Sequence, residues 1–224
     1  EDLKYPESIR KYAAVDVNLE RAWDEVWFLR GSYTWSHSWG NNEGYVRSDN
    51  GQDDAGLTTL FDQPGLLDGA YGNLPNDRRH SVKLFGSYAI TEDLLLGANF
   101  SWQSGRPKNA FGQHPTDAFA AAYGSESFYE QGVLVPRGSR GTTPSVTQLD
   151  LSLSYSMEIE GFDVMFRGDV FNVFNSDTET EVEEIADSEN EYDGDGNPLP
   201  NRYYGLIENV QTPRYVRLSV SIAY

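Results

Sequence analysis

The sequence contains no cysteine, which excludes disulfides, thiol nucleophiles and thiolate metal sites together. Bases are scarce: 17 Lys and Arg stand against 35 Asp and Glu, for a net charge of −18. A chain this acidic lacks the clustered basic face that nucleic acid requires, so no nucleic-acid partner is expected. No apolar run approaches the roughly 18 residues of a membrane-crossing helix. Glu1-Asp2-Leu3-Lys4-Tyr5-Pro6 holds no apolar h-region, so no signal peptide is expected within these residues. The only histidines are His37, His80 and His114, and neither G-x-S-x-G nor H-E-x-x-H occurs. We therefore expect no enzyme. What is plentiful is aromatic residues, at 13%, and glycine, at 21 residues, a pairing that favours an all-β chain. The mean hydropathy of −0.57 is that of a soluble protein. A transmembrane β-barrel gives the same average, because its strands alternate apolar and polar residues.

The dominant period is two. Val216, Leu218, Val220, Ile222 and Tyr224 are apolar, while Arg217, Ser219, Ser221 and Ala223 between them are polar or small. Leu149, Leu151, Leu153, Tyr155 and Met157 alternate in the same way with Gln148, Asp150, Ser152, Ser154 and Ser156. The pattern recurs from Phe162 to Val170, Leu94 to Gln103, Ser81 to Ile90 and Trp27 to Ser36, and most weakly from Ala13 to Glu20. Each segment reads as a strand with one greasy face. About seven strands of about ten residues result, the length that crosses a tilted bilayer span. Short turns near Trp23-Asp24-Glu25, Thr91-Glu92-Asp93 and Glu160-Gly161 alternate with long connections over Ser36–Arg78, Gly105–Pro144 and Ser176–Thr212. Long structureless loops are uncommon in compact domains, and short turns on one side with long loops on the other is the outer-membrane barrel pattern.

Aromatic placement sharpens the choice. Trp27, Tyr88, Tyr155, Phe162 and Tyr224 sit at strand ends beside the short turns or at the last residue; Tyr33, Trp35, Trp102 and Phe174 sit beside the long loops. All share the greasy parity, as two lipid-facing girdles would. A soluble or surface β-sandwich adhesion module accounts for the parity but not for the clustering at strand ends. A small closed outer-membrane barrel is a further alternative. An odd strand count leaves two unpaired edges, whereas bacterial barrels have even counts, so the sequence is expected to be part of a longer chain.

Several segments resemble a known family. Asn76-Asp77-Arg78-Arg79-His80, Gln103-Ser104-Gly105-Arg106-Pro107 and Asp169-Val170-Phe171-Asn172-Val173-Phe174-Asn175 are similar to TonB-dependent receptors of the bacterial outer membrane. Ser48-Asp49-Asn50-Gly51-Gln52-Asp53-Asp54, Phe61-Asp62-Gln63-Pro64-Gly65 and Pro136-Arg137-Gly138-Ser139-Arg140-Gly141 resemble the Oar-like subgroup. The resemblance implies that residues 1–224 are the C-terminal portion of a 22-stranded barrel, with the plug, about fifteen further strands and the TonB-contacting segment outside this sequence. It implies a Gram-negative outer-membrane receptor and transporter that binds a ligand at extracellular loops and passes it with TonB-coupled energy. Its partners would be outer-membrane lipid, the plug, TonB and the barrel assembly machinery. That family ends in a lipid-facing aromatic, so Val220, Ile222 and Tyr224 are the implied assembly signal.

Candidate ligand groups lie in the loops. Arg78, Arg79 and His80 form either a cationic rim for an anionic ligand or a strand-start cluster paired with loop carboxylates. Arg106, Lys108, Arg137 and Arg140, near Tyr123, Phe128 and Tyr129, either grip a carboxylate-bearing or aromatic ligand or pack loop against loop. Asp193-Gly194-Asp195-Gly196-Asn197 has the D-x-D-x-N spacing of a calcium loop. Pro198 and Tyr204 occupy the positions where an EF-hand has its glycine and bidentate glutamate, so a solvated turn competes with calcium held by Asp193, Asp195 and Asn197. The surrounding stretch, Asp177 to Asp195, has ten carboxylates and no base, a composition expected to stay open and mobile. Leu134-Val135-Pro136-Arg137-Gly138-Ser139 matches a thrombin site, and cleavage there would mark an exposed loop. Arg30, Lys83, Asp150, Arg167, Asp169 and Arg217 carry the polar parity and are expected to face the lumen, pairing across strands or meeting the plug.

Overall fold

The computed structural model describes residues 4–50 and 58–224, except the side chain of Asn50. Gly51, Gln52, Asp53 and Asp54 of the Oar-like stretch lie outside the described residues. Seven long strands follow one another: β1 Arg10–Arg21, β2 Trp27–Gly40, β3 His80–Ala89, β4 Leu94–Gln103, β5 Val146–Ile159, β6 Phe162–Phe171 and β7 Tyr215–Ala223. They pair antiparallel in sequence order as one up-and-down meander, with a two-residue strand, Gly72–Asn73, added beside the end of β2. The sheet is not closed, because among the described residues β1 and β7 each pair on one side only. A single meander is not two packed sheets, which removes the sandwich alternative.

The register keeps the two parities on opposite faces across the whole sheet. Gly86 lies opposite Ala98, Ala98 opposite Leu151, Leu151 opposite Val170 and Val170 opposite Val216. On the other face Ser87 meets Gly97, Gly97 meets Ser152, Ser152 meets Asp169 and Asp169 meets Arg217. A slip of one residue would exchange the faces, so the alternation fixes the register. The girdles follow: Trp27 is paired with Tyr88 near the short turns, and Val82 is flanked by Tyr33 and Trp102 near the long loops. Some of the polar-face charges pair across strands; Arg167 meets Asp169 along its own strand, Asp150 accepts from Gln148, and Lys83 has no ion pair among the described residues. Arg30 reaches Glu20 at 2.9 Å across β1 and β2, and Asp169 accepts from Arg167 at 2.8 Å and from Arg217 at 2.9 Å.

The turn after β5 places Glu160 and Gly161 at φ 52° and 84°. Two left-handed residues define the tight hairpin whose twist matches that of its strands, and Gly161 meets the requirement without a Cβ penalty. The apolar core is not in the sheet. Among the described residues Val164 is the one buried hydrophobic of the seven strands; the others, including Leu60, Leu66, Leu67, Leu74, Phe111 and Phe128, belong to the long loops. The sheet's own greasy residues point outward, and Leu218 is 81% exposed.

Candidate functional site

The described residues of the three long connections, 41–79, 104–145 and 172–214, leave the same end of the strands and fold on one another as a cap. The first contributes Leu60, Leu67 and Ala70 to a small core completed by Phe111 and Phe128 of the second. A second cluster joins Ala110 and Val135 to Ala186 of the third connection. The segment expected to be open is therefore folded, with short strands at Glu179–Val182, Asp187–Tyr192, Pro198–Pro200 and Ile207–Val210. The reason is that its key carboxylates meet donors far away in sequence. Asp187 is fully buried and accepts from the backbone N–H of Gln113 (3.2 Å) and Gln131 (2.9 Å) and from Gln131 Nε2 (2.8 Å). Glu184 accepts from Arg106 Nη1 at 2.6 Å, from the Asn109 backbone N–H at 3.0 Å and from Asn109 Nδ2 at 2.9 Å. Burial pushes the Glu184 carboxyl up to about 7, against the opposing pull of Arg106 and Asn109.

Two guanidinium groups lie at the centre. Arg47 and Arg137 are buried on either side of Asp49. Arg137 donates to Asp49 Oδ2 through Nε (3.1 Å) and Nη2 (2.8 Å), and Arg47 Nε donates to Asp49 Oδ1 (3.3 Å). Arg47 Nη1 also reaches Glu126 at 2.7 Å, and Arg137 Nη2 reaches Glu43 at 3.4 Å. Arg47 stacks over Phe111 at 4.5 Å, and Arg137 over Phe128 at 5.5 Å. Burial pulls the Arg47 guanidinium below its usual range, and Asp49 and Glu126 oppose that shift. Burial likewise raises the Glu43 carboxyl. Buried ions of this kind persist only when paired and hydrogen-bonded. The network joins the first connection to the second, and Asn109 extends it from Asp49 to Glu184 of the third.

The candidate ligand residues separate by environment. Arg137 is within the buried network, so the side chain a thrombin-like site must present is covered, although Pro136 and Ser139 beside it are exposed. Arg106 is held by Glu184, and Arg140 pairs with Glu130 while keeping 42% side-chain exposure. Arg79 pairs with Asp77 at 2.7 Å, and His80 Nδ1 shares a hydrogen bond with the Tyr33 hydroxyl at 2.9 Å. Arg78 donates to the Ser104 carbonyl at 3.0 Å and has no carboxylate partner among the described residues. Its guanidinium is lowered by burial and by the nearby charge of Arg106. The Tyr129 hydroxyl points at Asp68 Oδ2 at 3.5 Å, and Tyr123 is 37% exposed. Asp193, Asp195 and Asn197 form the tip of a hairpin. There the Asp193 carboxylate accepts from the backbone N–H of Asp195 (2.9 Å) and Asn197 (2.8 Å) and from Asn197 Nδ2 (3.0 Å). Those bonds hold the Asp193 carboxyl below its ordinary range. Val220 and Ile222 lie on the greasy face opposite Phe166 and Val164, and Tyr224 follows β7, fully exposed. No motif in the sequence joins Asp49, Arg47, Asn109 and Glu184; they are scattered polar positions that only the fold brings together.

No family model matches the chain. The chain is 34% identical over 177 residues, 77% of its length, to the TonB-dependent transporter Oar of Myxococcus xanthus, and spans 16% of that relative. The structure is similar to the closed form of the ferric-catecholate import receptor Fiu of Escherichia coli K12. The TM-score is 0.50 at 16% identity, over 96% of this chain and 21% of that one. The likeness to Fiu concerns the fold alone. The relative, the ordered barrel meander and the Oar-like loop segments agree, and the chain belongs to the TonB-dependent receptors, as an antiparallel part of their β-barrel.

Proposed function

We propose that the chain is the C-terminal barrel portion of an outer-membrane receptor that binds its ligand on the capped long-loop surface and passes it through the lumen with TonB-coupled energy. The observation that carries this reading is the cap itself: three connections from one end of the strands, joined by Asp49, Asn109 and Glu184 into a preformed surface. A receptor needs such a rigid surface, because ordering loops on binding costs affinity. Similarity to the Oar transporter supports a transport role rather than catalysis. Within the cap, Arg78, Arg140 and Tyr123 are the groups with capacity left for a ligand, beside Arg79, His80, Arg106 and Tyr129. Arg137 serves by holding the surface together. Calcium at Asp193, Asp195 and Asn197 belongs to the same proposal, and the ion would displace the Asn197 amide from Asp193. Lipid, the plug, TonB and the barrel assembly machinery are the partners.

The test uses the full-length receptor in intact cells. An epitope inserted at Gly194 should be labelled by external antibody, and one inserted at Gly161 only after the outer membrane is permeabilised. The reverse pattern, or recovery of the protein in buffer without detergent, refutes the membrane reading. A ligand-uptake or growth screen with TonB present and depleted then tests coupling; uptake that ignores TonB contradicts it.

A further inference from the structure

We propose that the greasy face carries a binding site for an anionic glycerophospholipid, a proposal that rests on the membrane reading above. An open apolar hollow of about 340 Å3 crosses β2, β3 and β4 on that face. Gly86 and Ala98, directly opposite each other, form its floor, and Leu29, Leu84, Leu96 and Phe100 form its walls. The hollow is built in. A Cβ on Gly86 would stand 2.7 Å from the Phe28 carbonyl oxygen, so the backbone admits only glycine there. An unfilled hollow forfeits dispersion contacts, and a flexible acyl chain fills such a shape at little cost.

The end of the hollow toward the short turns is closed by Trp27 and Tyr88, which are paired in register. At that same end a cation occupies the greasy parity. Arg21 continues the Val15, Val17, Leu19 series of β1, and its guanidinium lies 3.7 Å from the centre of the Trp27 ring. Arg21 Nη1 donates to the Trp27 carbonyl at 2.6 Å, and Nη2 pairs with Asp24. Its Nε–H has no acceptor among the described residues. Asp24 is held in place by the backbone N–H of Val26 and Trp27 at 3.2 and 3.0 Å, so a second anion would share the guanidinium through Nε–H and not displace Asp24. A guanidinium fixed on a girdle tryptophan at the membrane interface, with a free donor, matches a lipid phosphate. The acyl chain would then run from that phosphate past Trp27 into the hollow over Gly86 and Ala98.

The test reconstitutes the full-length receptor in phosphatidylcholine vesicles. Each carries a trace of photoreactive-acyl phosphatidylglycerol or phosphatidylcholine, and labelled peptides are mapped by mass spectrometry. The phosphatidylglycerol probe should label β2–β4 about fivefold more than the phosphatidylcholine probe, the ratio expected for one basic group at an anionic lipid. Both probes should label β7 equally. R21S should abolish the headgroup preference, R21K should restore part of it, and A98F should remove labelling at β3 and β4 while leaving β7 labelled. Labelling of β2–β4 that ignores the headgroup, or that survives both R21S and A98F, overturns the proposal. If A98F alone fails to insert, the R21S arm decides. An unlabelled β7 in the parent protein overturns the membrane reading, and this site with it.

Discussion

Asp49 is the most consequential single residue of the cap, since two buried guanidinium groups depend on it. D49A leaves both without their shared carboxylate and should destabilise the cap by about 3–5 kcal/mol. Thrombin is a direct readout. The parent cap should resist cleavage, because the Arg137 side chain has no exposed surface, and D49A should be cut at the Arg137–Gly138 bond. Rapid cleavage of the parent protein would show that the cap is open. Glu184 gives the cap a pH dependence. Its carboxyl is pushed from 4.5 to about 7 by burial, so the folded cap holds a proton that the opened loop releases. The associated stability is present below the unfolded value and lost as pH rises through about 7. Hydrogen exchange, corrected for intrinsic rates, should show the third connection opening more readily at high pH. E184Q should flatten that dependence; an unchanged profile in E184Q would assign the proton elsewhere.

At the scale of the element, the strands were legible in the sequence and their ends were less so. Alternation alone marks all seven, because a sheet with one apolar face and one polar face must repeat every two residues. The boundaries moved where the cap takes over. β2 continues past Ser36 to Gly40, and Ser36 and Ser38 are buried there under the loops. The parity gives a sharp expectation. L151R and V220R place a charge in the apolar band at about 2–4 kcal/mol near its midplane, whereas S152R and S219R place it on the polar face. Membrane-fraction yield should fall for the first pair and hold for the second; equal yields would contradict the face assignment. Y224A should lower folded yield if this exposed aromatic after β7 serves assembly, and a normal yield would dismiss that role.

For the whole molecule, charge and order sit in the same place. The stretches Ser36–Arg78, Gly105–Pro144 and Ser176–Thr212 carry −5, +1 and −10, so −14 of the −18 belongs to them. That charge does not keep them apart, because Arg47, Arg137 and Arg106 take up the carboxylates at the cap's centre. The acidic excess belongs to the long-loop end of a sheet whose apolar face is exposed. The full-length receptor should therefore need detergent to stay monodisperse, while the cap's thrombin resistance should persist in that detergent. Aggregation-free behaviour in plain buffer would contradict the membrane reading of that face.

The sequence by itself determined the strands, their two faces, the short-turn and long-loop ends, and the family. All of these rest on local alternation or on contiguous segments such as Asp169–Asn175. Only the tertiary structure decided that the long connections are folded and which carboxylates hold them. It also decided that Arg137 is a buried tie instead of a surface grip. The bonds responsible join residues such as Asp49 to Arg137 and Asn109 to Glu184, which are separated by 88 and 75 positions. No periodicity reports on such pairs, because their stabilisation comes from a desolvated charge or carboxyl meeting an opposite charge or a hydrogen-bond donor only after the chain has brought them together.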